Sequence, residues 1–135
     1  MNKLVLVLLT LVFAFTAPVQ ASDESKEEPI QHYQVPDVTS MEDAERIFVE
    51  TTAEMKSKKK LDQVELEQIH VVTYSLEKSV AYFAENLKGE RQQLAKELAV
   101  VVEDIHLASE NNRHEAAKAH LSNYFELAER FASGF

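Results

Sequence analysis

The sequence predicts an all-α fold, an antiparallel up-down four-helix bundle that follows a cleaved signal peptide and an extended polar leader. Two observations carry this prediction. After residue 39, apolar residues recur at alternating steps of three and four residues, the spacing of one face of an α-helix. The same stretch contains only two glycines, Gly89 and Gly134, and no proline, so few positions interrupt a helix. Four such segments with short connections favour antiparallel neighbours.

Residues 1–21 have the organisation of a secretory signal peptide. Lys3 precedes an apolar run from residue 4 to residue 17, Pro18 ends the run, and Ala21 offers a small residue at the cleavage position. The run is shorter than the roughly 20 residues that cross a bilayer, although an uncleaved anchor is the alternative interpretation. We therefore expect a periplasmic protein, secreted through the inner membrane, with no stable membrane anchor after processing.

The charge and the cysteine count exclude several classes of protein. The chain has no cysteine, which excludes a lipid-modified cysteine and a disulfide framework. Its formal net charge is −9, and loss of Lys3 with the signal peptide leaves −10. An acidic surface repels phosphate backbones, so nucleic acid is not expected as a partner. Such a surface attracts cations, although acidity also serves solubility.

Residues 22–38 are polar and contain Pro29 and Pro36, which predicts an extended, flexible leader, and the bundle occupies residues 39–135. The first helix is predicted to begin at Thr39 or Ser40, with Thr39 and Glu42 forming a capping box. It ends in a lysine-rich stretch, whose cations suit the negative end of the helix dipole. The predicted core face of this helix consists of Ala44, Phe48, Thr51 and Met55.

The second helix is predicted to begin at Asp62, with Glu65 three residues later, and to stop at Gly89. The fourth is predicted to begin at Asn112, with Glu115 completing the cap. The predicted core faces are Leu66, Ile69, Thr73, Leu76, Val80, Phe83 and Leu87 in the second helix, Leu94, Leu98, Val101, Ile105 and Ala108 in the third, and Ala117, Leu121, Tyr124, Ala128, Phe131 and Phe135 in the fourth.

Antiparallel folding predicts which histidines lie at the same height along the bundle. With a rise of ~1.5 Å per residue, a turn about Gly89 brings His70 and His106 within about 3 Å of the same height. Each histidine follows a core residue by one position, so both flank the core, and the spacing does not settle which way they point. The same folding places Glu50 and His114 near that height, with Glu54, Glu67, Glu103 and Glu110 within two turns of it.

This arrangement predicts a site in the bundle wall for a divalent transition metal such as Zn, Cu, Fe or Mn, because imidazole and carboxylate groups suit these ions. Glu67 precedes His70 by three residues and Glu103 precedes His106 by three, which puts each pair on one helix face. Di-iron carboxylate bundles use such pairs, although there the pairs do not lie on consecutive helices. The predicted metal ligands are His70, His106, Glu67, Glu103, Glu50 and His114, with Tyr74 and Glu77 as supporting residues that orient an imidazole.

Two other interpretations of the histidines stay open. They could pair with nearby carboxylates on solvated flanks and bind nothing. Non-covalent haem is less favoured: the architecture resembles the soluble b-type four-helix-bundle cytochrome of the periplasm, and Met41 or Met55 could supply an axial ligand, but the last helix lacks the matching histidine near its end. The absence of Cys-x-x-Cys-His excludes covalently attached haem.

Three short segments resemble a family of small, uncharacterised periplasmic helical proteins of proteobacteria. They are the pair His32-Tyr33, the segment QIHVVTYSLE at residues 68–77, and the segment EDIHLASE at residues 103–110. The resemblance implies a helical domain of unknown function and brings no activity. It also marks His32, Tyr74 and the two helical histidines as positions to test, although spacing cannot place His32.

We do not expect an enzyme, because the sequence shows no nucleophile with an ordered base and no Gly-rich phosphate loop. The first functional interpretation is a protein that binds or buffers a divalent transition metal. The second is a cofactor-free structural or partner-binding module, because the long apolar face of the second helix could support a homodimer or bind another periplasmic protein.

Overall fold

The computed structural model describes residues 33–135, which form four α-helices and no strand, so the predicted all-α fold is confirmed. The helices are α1 (Met41–Ser57), α2 (Gln63–Asn86), α3 (Gly89–Glu110) and α4 (His114–Ala132). The predicted signal peptide, the first part of the leader and His32 lie outside the described residues. Within residues 33–135, every helix is too short or too polar to span a bilayer.

Consecutive helices pack side by side and run in opposite directions. Ser79 Oγ in the second half of α2 donates a hydrogen bond to Ala44 O near the start of α1, at 2.7 Å. Thr73 in α2 lies 2.9 Å from a ring nitrogen of His106, near the end of α3. Gly89 has a φ of +63°, in the left-handed region that glycine adopts readily, and lets the chain reverse between α2 and α3.

Aromatic side chains close the bundle between α1 and α4. Phe48 contacts Phe83, Tyr124 and Phe131, with ring centroids 5.4 to 6.3 Å apart, and all four rings are buried. The Tyr124 hydroxyl forms a 2.6 Å hydrogen bond with Thr52 in α1. The predicted core faces are therefore largely confirmed, although Phe135 packs against this cluster with half of its side chain exposed.

The predicted helix starts at Ser40 and Asp62 are confirmed, whereas the capping box at Thr39 and the cap at Asn112 need correction. Ser40, not Thr39, caps α1, because Ser40 Oγ accepts a hydrogen bond from Asp43 N. The predicted cap at Asn112 is wrong: Asn112 has a φ of +52°, which asparagine tolerates, and α4 begins after Arg113 with no side-chain cap. Asp62 caps α2 as predicted, accepting from the backbone of the residue three positions later.

Ser79 offers a direct test of the contact between α1 and α2. The Ser79→Ala variant loses a buried hydrogen bond, and we expect the free energy of unfolding to fall by about 0.5–1.5 kcal/mol. The loss is modest because the acceptor, Ala44 O, also belongs to the backbone ladder of α1. Urea unfolding of metal-free protein measures it, and no change in stability would contradict the assigned bond.

Candidate metal centre

His70 on α2 and two residues of α3, His106 and Glu110, form a compact cluster between these helices. One potential ligand atom from each residue lies within 4.8 Å of the other two. The two imidazole rings meet edge to face, with centroids 4.7 Å apart and planes at 81°. Both histidines are buried, at 7% and 8% exposure, while Glu110 is half-buried. The two histidines therefore lie at a common height, as predicted, and their rings also face each other, which the sequence left open.

The helix geometry explains why the histidines converge. Each directly follows a fully buried isoleucine, Ile69 or Ile105, so each lies at the edge of its core face. The reversal at Gly89 sets the two helices antiparallel and brings the two edges to the same height. Spacing left open whether the rings turn to solvent or to the facing helix, and both turn to the facing helix.

Hydrogen bonds fix the orientation of the His106 ring. Thr73 Oγ1 donates its only hydrogen to the backbone oxygen of His70, at 2.6 Å, so it accepts from His106 Nδ1, which lies 2.9 Å away. Glu77 Oε1 lies 3.0 Å from the same nitrogen, off the direction of a hydrogen bond, and acts through its charge. We infer that Nδ1 carries a hydrogen, so that Nε2 is the nitrogen whose lone pair is available to a metal ion.

Tyr74 covers both imidazole rings. Its hydroxyl lies 3.1 Å from His70 Nε2, and its ring centroid lies 5.2 Å from that of His70 and 4.9 Å from that of His106. Burial raises the pKa of the Tyr74 hydroxyl, and the charges of Glu110 and Glu77 raise it further. Tyr74 and Glu77, predicted as supporting residues, thus both lie against the histidine pair.

The carboxylate in the cluster is not one of those that the sequence predicted as ligands. Glu67 and Glu103 lie one turn before the histidines, and side chains in a helix lean toward its N-terminus, so both lean away from the rings. Glu110 lies one turn after His106 and leans back over it. Glu110 was predicted to lie near this height but not to be a ligand, and the lean of helical side chains is the signal that distinguishes it from Glu67 and Glu103.

The other predicted ligands lie outside this cluster. Glu50 is exposed and forms an ion pair with Arg46, with a 3.1 Å contact. His114 is exposed, and its Nδ1 donates a 2.6 Å hydrogen bond to the backbone oxygen of Leu61 in the α1–α2 connection. Glu67 is exposed on the side of α2 that faces the leader, where it lines a groove of about 620 Å³.

The negative charge of Glu77 is disfavoured at its half-buried position beside His106. Burial raises the pKa of its carboxyl, the neighbouring His106 opposes this by attraction, and Glu103 adds to it by repulsion. A carboxyl with a raised pKa contributes stability while it is protonated, below its unfolded pKa, and this contribution is lost as the pH rises through its folded pKa. At neutral pH, ionised Glu77 therefore lowers the stability of the metal-free protein.

The Glu77→Gln variant tests this assignment. We expect it to have a higher free energy of unfolding than the wild-type protein at pH 7, and the difference to disappear as the pH falls to about 4. Urea unfolding of metal-free protein across this range measures the effect. Glu97→Gln, at an exposed position of α3, is the matched control. A Glu77→Gln variant that is less stable than wild type at pH 7 would contradict the dominance of burial.

Comparisons with known proteins identify a family and no activity. A family model described as "Family of unknown function (DUF6746)" matches residues 1–133, nearly the whole chain. Neither the curated proteins nor the solved structures contain a match to this sequence.

Proposed function

This chain belongs to a family of unknown function, and from its own geometry we propose that it binds one divalent transition metal ion between α2 and α3. The proposed ligands are His70, His106 and Glu110. The observation that carries the proposal is the approach of two buried imidazoles and one carboxylate to within 4.8 Å. In this proposal the protein is exported by its N-terminal signal peptide and buffers or carries the metal without catalysing a reaction.

The spacing of the donor atoms supports this proposal. Bonds from zinc to nitrogen or oxygen are about 2.0–2.2 Å, so neighbouring ligand atoms around a tetrahedral ion lie about 3.4 Å apart. The ligand atoms, which lie within 4.8 Å of one another, need to approach by up to about 1.4 Å to reach this spacing. Rotation of side chains accomplishes such a movement, and half-buried Glu110 at the end of α3 is the ligand with most freedom to make it.

The type of donor narrows the class of ion. Two imidazoles and a carboxylate suit Zn²⁺, Cu²⁺, Fe²⁺ or Mn²⁺. The soft ion Cu⁺ prefers sulfur, and none of the three proposed ligands carries a sulfur atom. Three protein ligands leave at least one coordination position open, as in zinc sites that exchange their fourth ligand. An open site of this kind supports exchange of the metal and hence a buffering or carrying role.

Residues around the ligands support the same interpretation. Histidines that bind metals usually donate their second ring nitrogen to a carboxylate or another acceptor, which fixes the ring and strengthens the ligand nitrogen. Thr73 accepts such a hydrogen bond from His106 Nδ1 at 2.9 Å, and the Glu77 carboxylate lies 3.0 Å from the same nitrogen. A bound cation would also offset the cost of burying the Glu77 charge.

Haem fits the histidine pair poorly. An iron held between two axial imidazoles, with bonds of about 2 Å on opposite sides, requires ring centroids more than about 6 Å apart. The centroids of His70 and His106 are 4.7 Å apart. This distance favours a small metal ion that binds one nitrogen of each ring at two adjacent coordination positions.

Elemental analysis of protein isolated from its native compartment, combined with an absorption spectrum, tests the proposal. We expect about one divalent transition metal ion per chain and no haem absorption. Protein that contains no metal and takes up none when Zn²⁺ is added would refute the proposal. Such protein with an unchanged melting temperature would favour the cofactor-free module instead.

A further inference from the structure

An extended segment before α1, which we call the strap (residues 33–39), lies along one stripe of α2. Its contacts fall on residues four apart in the helix. Tyr33 packs edge to face on Tyr74, with ring centroids 5.9 Å apart. Thr39 O accepts a 3.4 Å hydrogen bond from the hydroxyl of Tyr82. The strap therefore runs parallel to α2, and Tyr33 at its start lies next to the candidate metal centre.

Lys78, midway along the stripe, is the main tether of the strap. Its Nζ donates to Val35 O at 2.7 Å and to Asp37 Oδ1 at 2.6 Å. The Asp37 side chain is 86% exposed and that of Lys78 is 37% exposed, so salt screens this ion pair. Exposed ion pairs typically contribute little stability, and a tether of this kind opens readily.

The strap packs against Tyr74, the residue that covers the imidazole rings of His70 and His106. Tyr74 lies over both imidazole rings, and Tyr33 lies against the ring of Tyr74. For an ion to reach the two buried histidines from the side of α2, Tyr74 has to swing away from His70. Tyr33, which lies on the strap that Lys78 binds, contacts the ring that would have to move.

We propose that the strap controls access to the His70–His106 pair, with Lys78 as the latch and Tyr33 as the residue that holds Tyr74 in place. We call this control of access the gate. Its role in metal exchange rests on the proposed function. Its effect on the accessibility of the two imidazoles does not depend on that function. Opening the strap increases the rates at which metal enters and leaves and has little effect on the equilibrium affinity, because no ligand is lost.

Chemical modification of metal-free protein tests the gate without a metal. Diethyl pyrocarbonate modifies accessible imidazoles, and mass spectrometry gives the rate at each histidine. We expect modification of His70 and His106 to be about fivefold faster in Lys78→Met than in the wild-type protein, with His120 unchanged as an internal reference. Added NaCl should accelerate the wild-type reaction and leave the variant unaffected.

The control is Lys96→Met, which removes an exposed lysine from α3, away from the strap. Tyr33→Ala provides a second opening of the gate, in case Lys78→Met perturbs folding. The two strap variants, Lys78→Met and Tyr33→Ala, are compared with wild type by circular dichroism before modification. Equal rates at His70 and His106 in the wild-type protein and in both strap variants would overturn the proposal.

Metal exchange then separates this inference from the proposed function. Zn²⁺ is removed from loaded protein by excess chelator, and its release is followed with a zinc-sensitive dye. Release about fivefold faster in Lys78→Met, with an unchanged dissociation constant, supports the gate. Equal release rates in protein that binds Zn²⁺ would overturn the gate and leave the metal site intact. Protein that binds no Zn²⁺ refutes the proposed function, and the modification rates alone then decide the gate.

Discussion

Replacing both His70 and His106 by alanine is expected to abolish stoichiometric binding of Zn²⁺ or Co²⁺. The double variant leaves Glu110 as the only proposed ligand, and one half-buried carboxylate binds divalent ions weakly. Loss of residues that merely orient ligands already weakens metal affinity by about 10- to 100-fold, so we expect each lost imidazole to cost at least about 100-fold. Titration calorimetry and the absorption spectrum of bound Co²⁺ measure the loss.

Matched controls separate this site from general attraction to an acidic protein. The His114→Ala, His120→Ala double variant removes two histidines that lie outside the cluster, and we expect it to bind like the wild-type protein. Glu110→Gln should weaken binding, and Glu67→Gln should not, because Glu67 lies outside the cluster. Unchanged binding by the His70→Ala, His106→Ala variant would reject the assigned ligands.

Replacing Phe48 by alanine is expected to cause the largest loss of stability among single changes in the bundle. Phe48 is 2% exposed and contacts four aromatic rings, contributed by α2, α4 and the residues after α4. Truncation of a buried phenylalanine typically costs 3–5 kcal/mol, of a total stability of about 5–15 kcal/mol for a domain. Urea unfolding measures the change.

The neighbouring residue provides the control for this prediction. Val49 is 54% exposed on the same helix, so Val49→Ala should change the free energy of unfolding by no more than about 0.5 kcal/mol. A loss below about 1 kcal/mol in Phe48→Ala would show that the aromatic cluster does not hold α1 against α4.

Much of the fold was predictable because helical spacing is a strong signal when a helix has one buried face. Six of the seven predicted core residues of the second helix are buried in α2, and the seventh, Leu87, follows the last residue of α2 and is partly buried. The height of His70 and His106 followed from the turn at Gly89 and the constant rise of a helix. The direction of their rings did not follow, because a residue at the edge of a core face can turn to either side.

The site residues that the sequence did not identify depend on finer geometry. Selecting Glu110 over Glu67 and Glu103 required the lean of side chains along a helix, which spacing of three or four residues does not encode. The position of the strap depends on Lys78, an ordinary surface lysine in the sequence whose partners are a backbone oxygen and an exposed aspartate. No periodic pattern records such a contact.

The most direct test of the metal centre is a crystal structure of Zn²⁺-loaded protein with anomalous diffraction at the zinc edge. The proposal predicts one strong anomalous peak between α2 and α3, about 2.1 Å from a ring nitrogen of His70, a ring nitrogen of His106 and a carboxylate oxygen of Glu110. A peak located elsewhere, or no peak between these helices in fully loaded crystals, would contradict it.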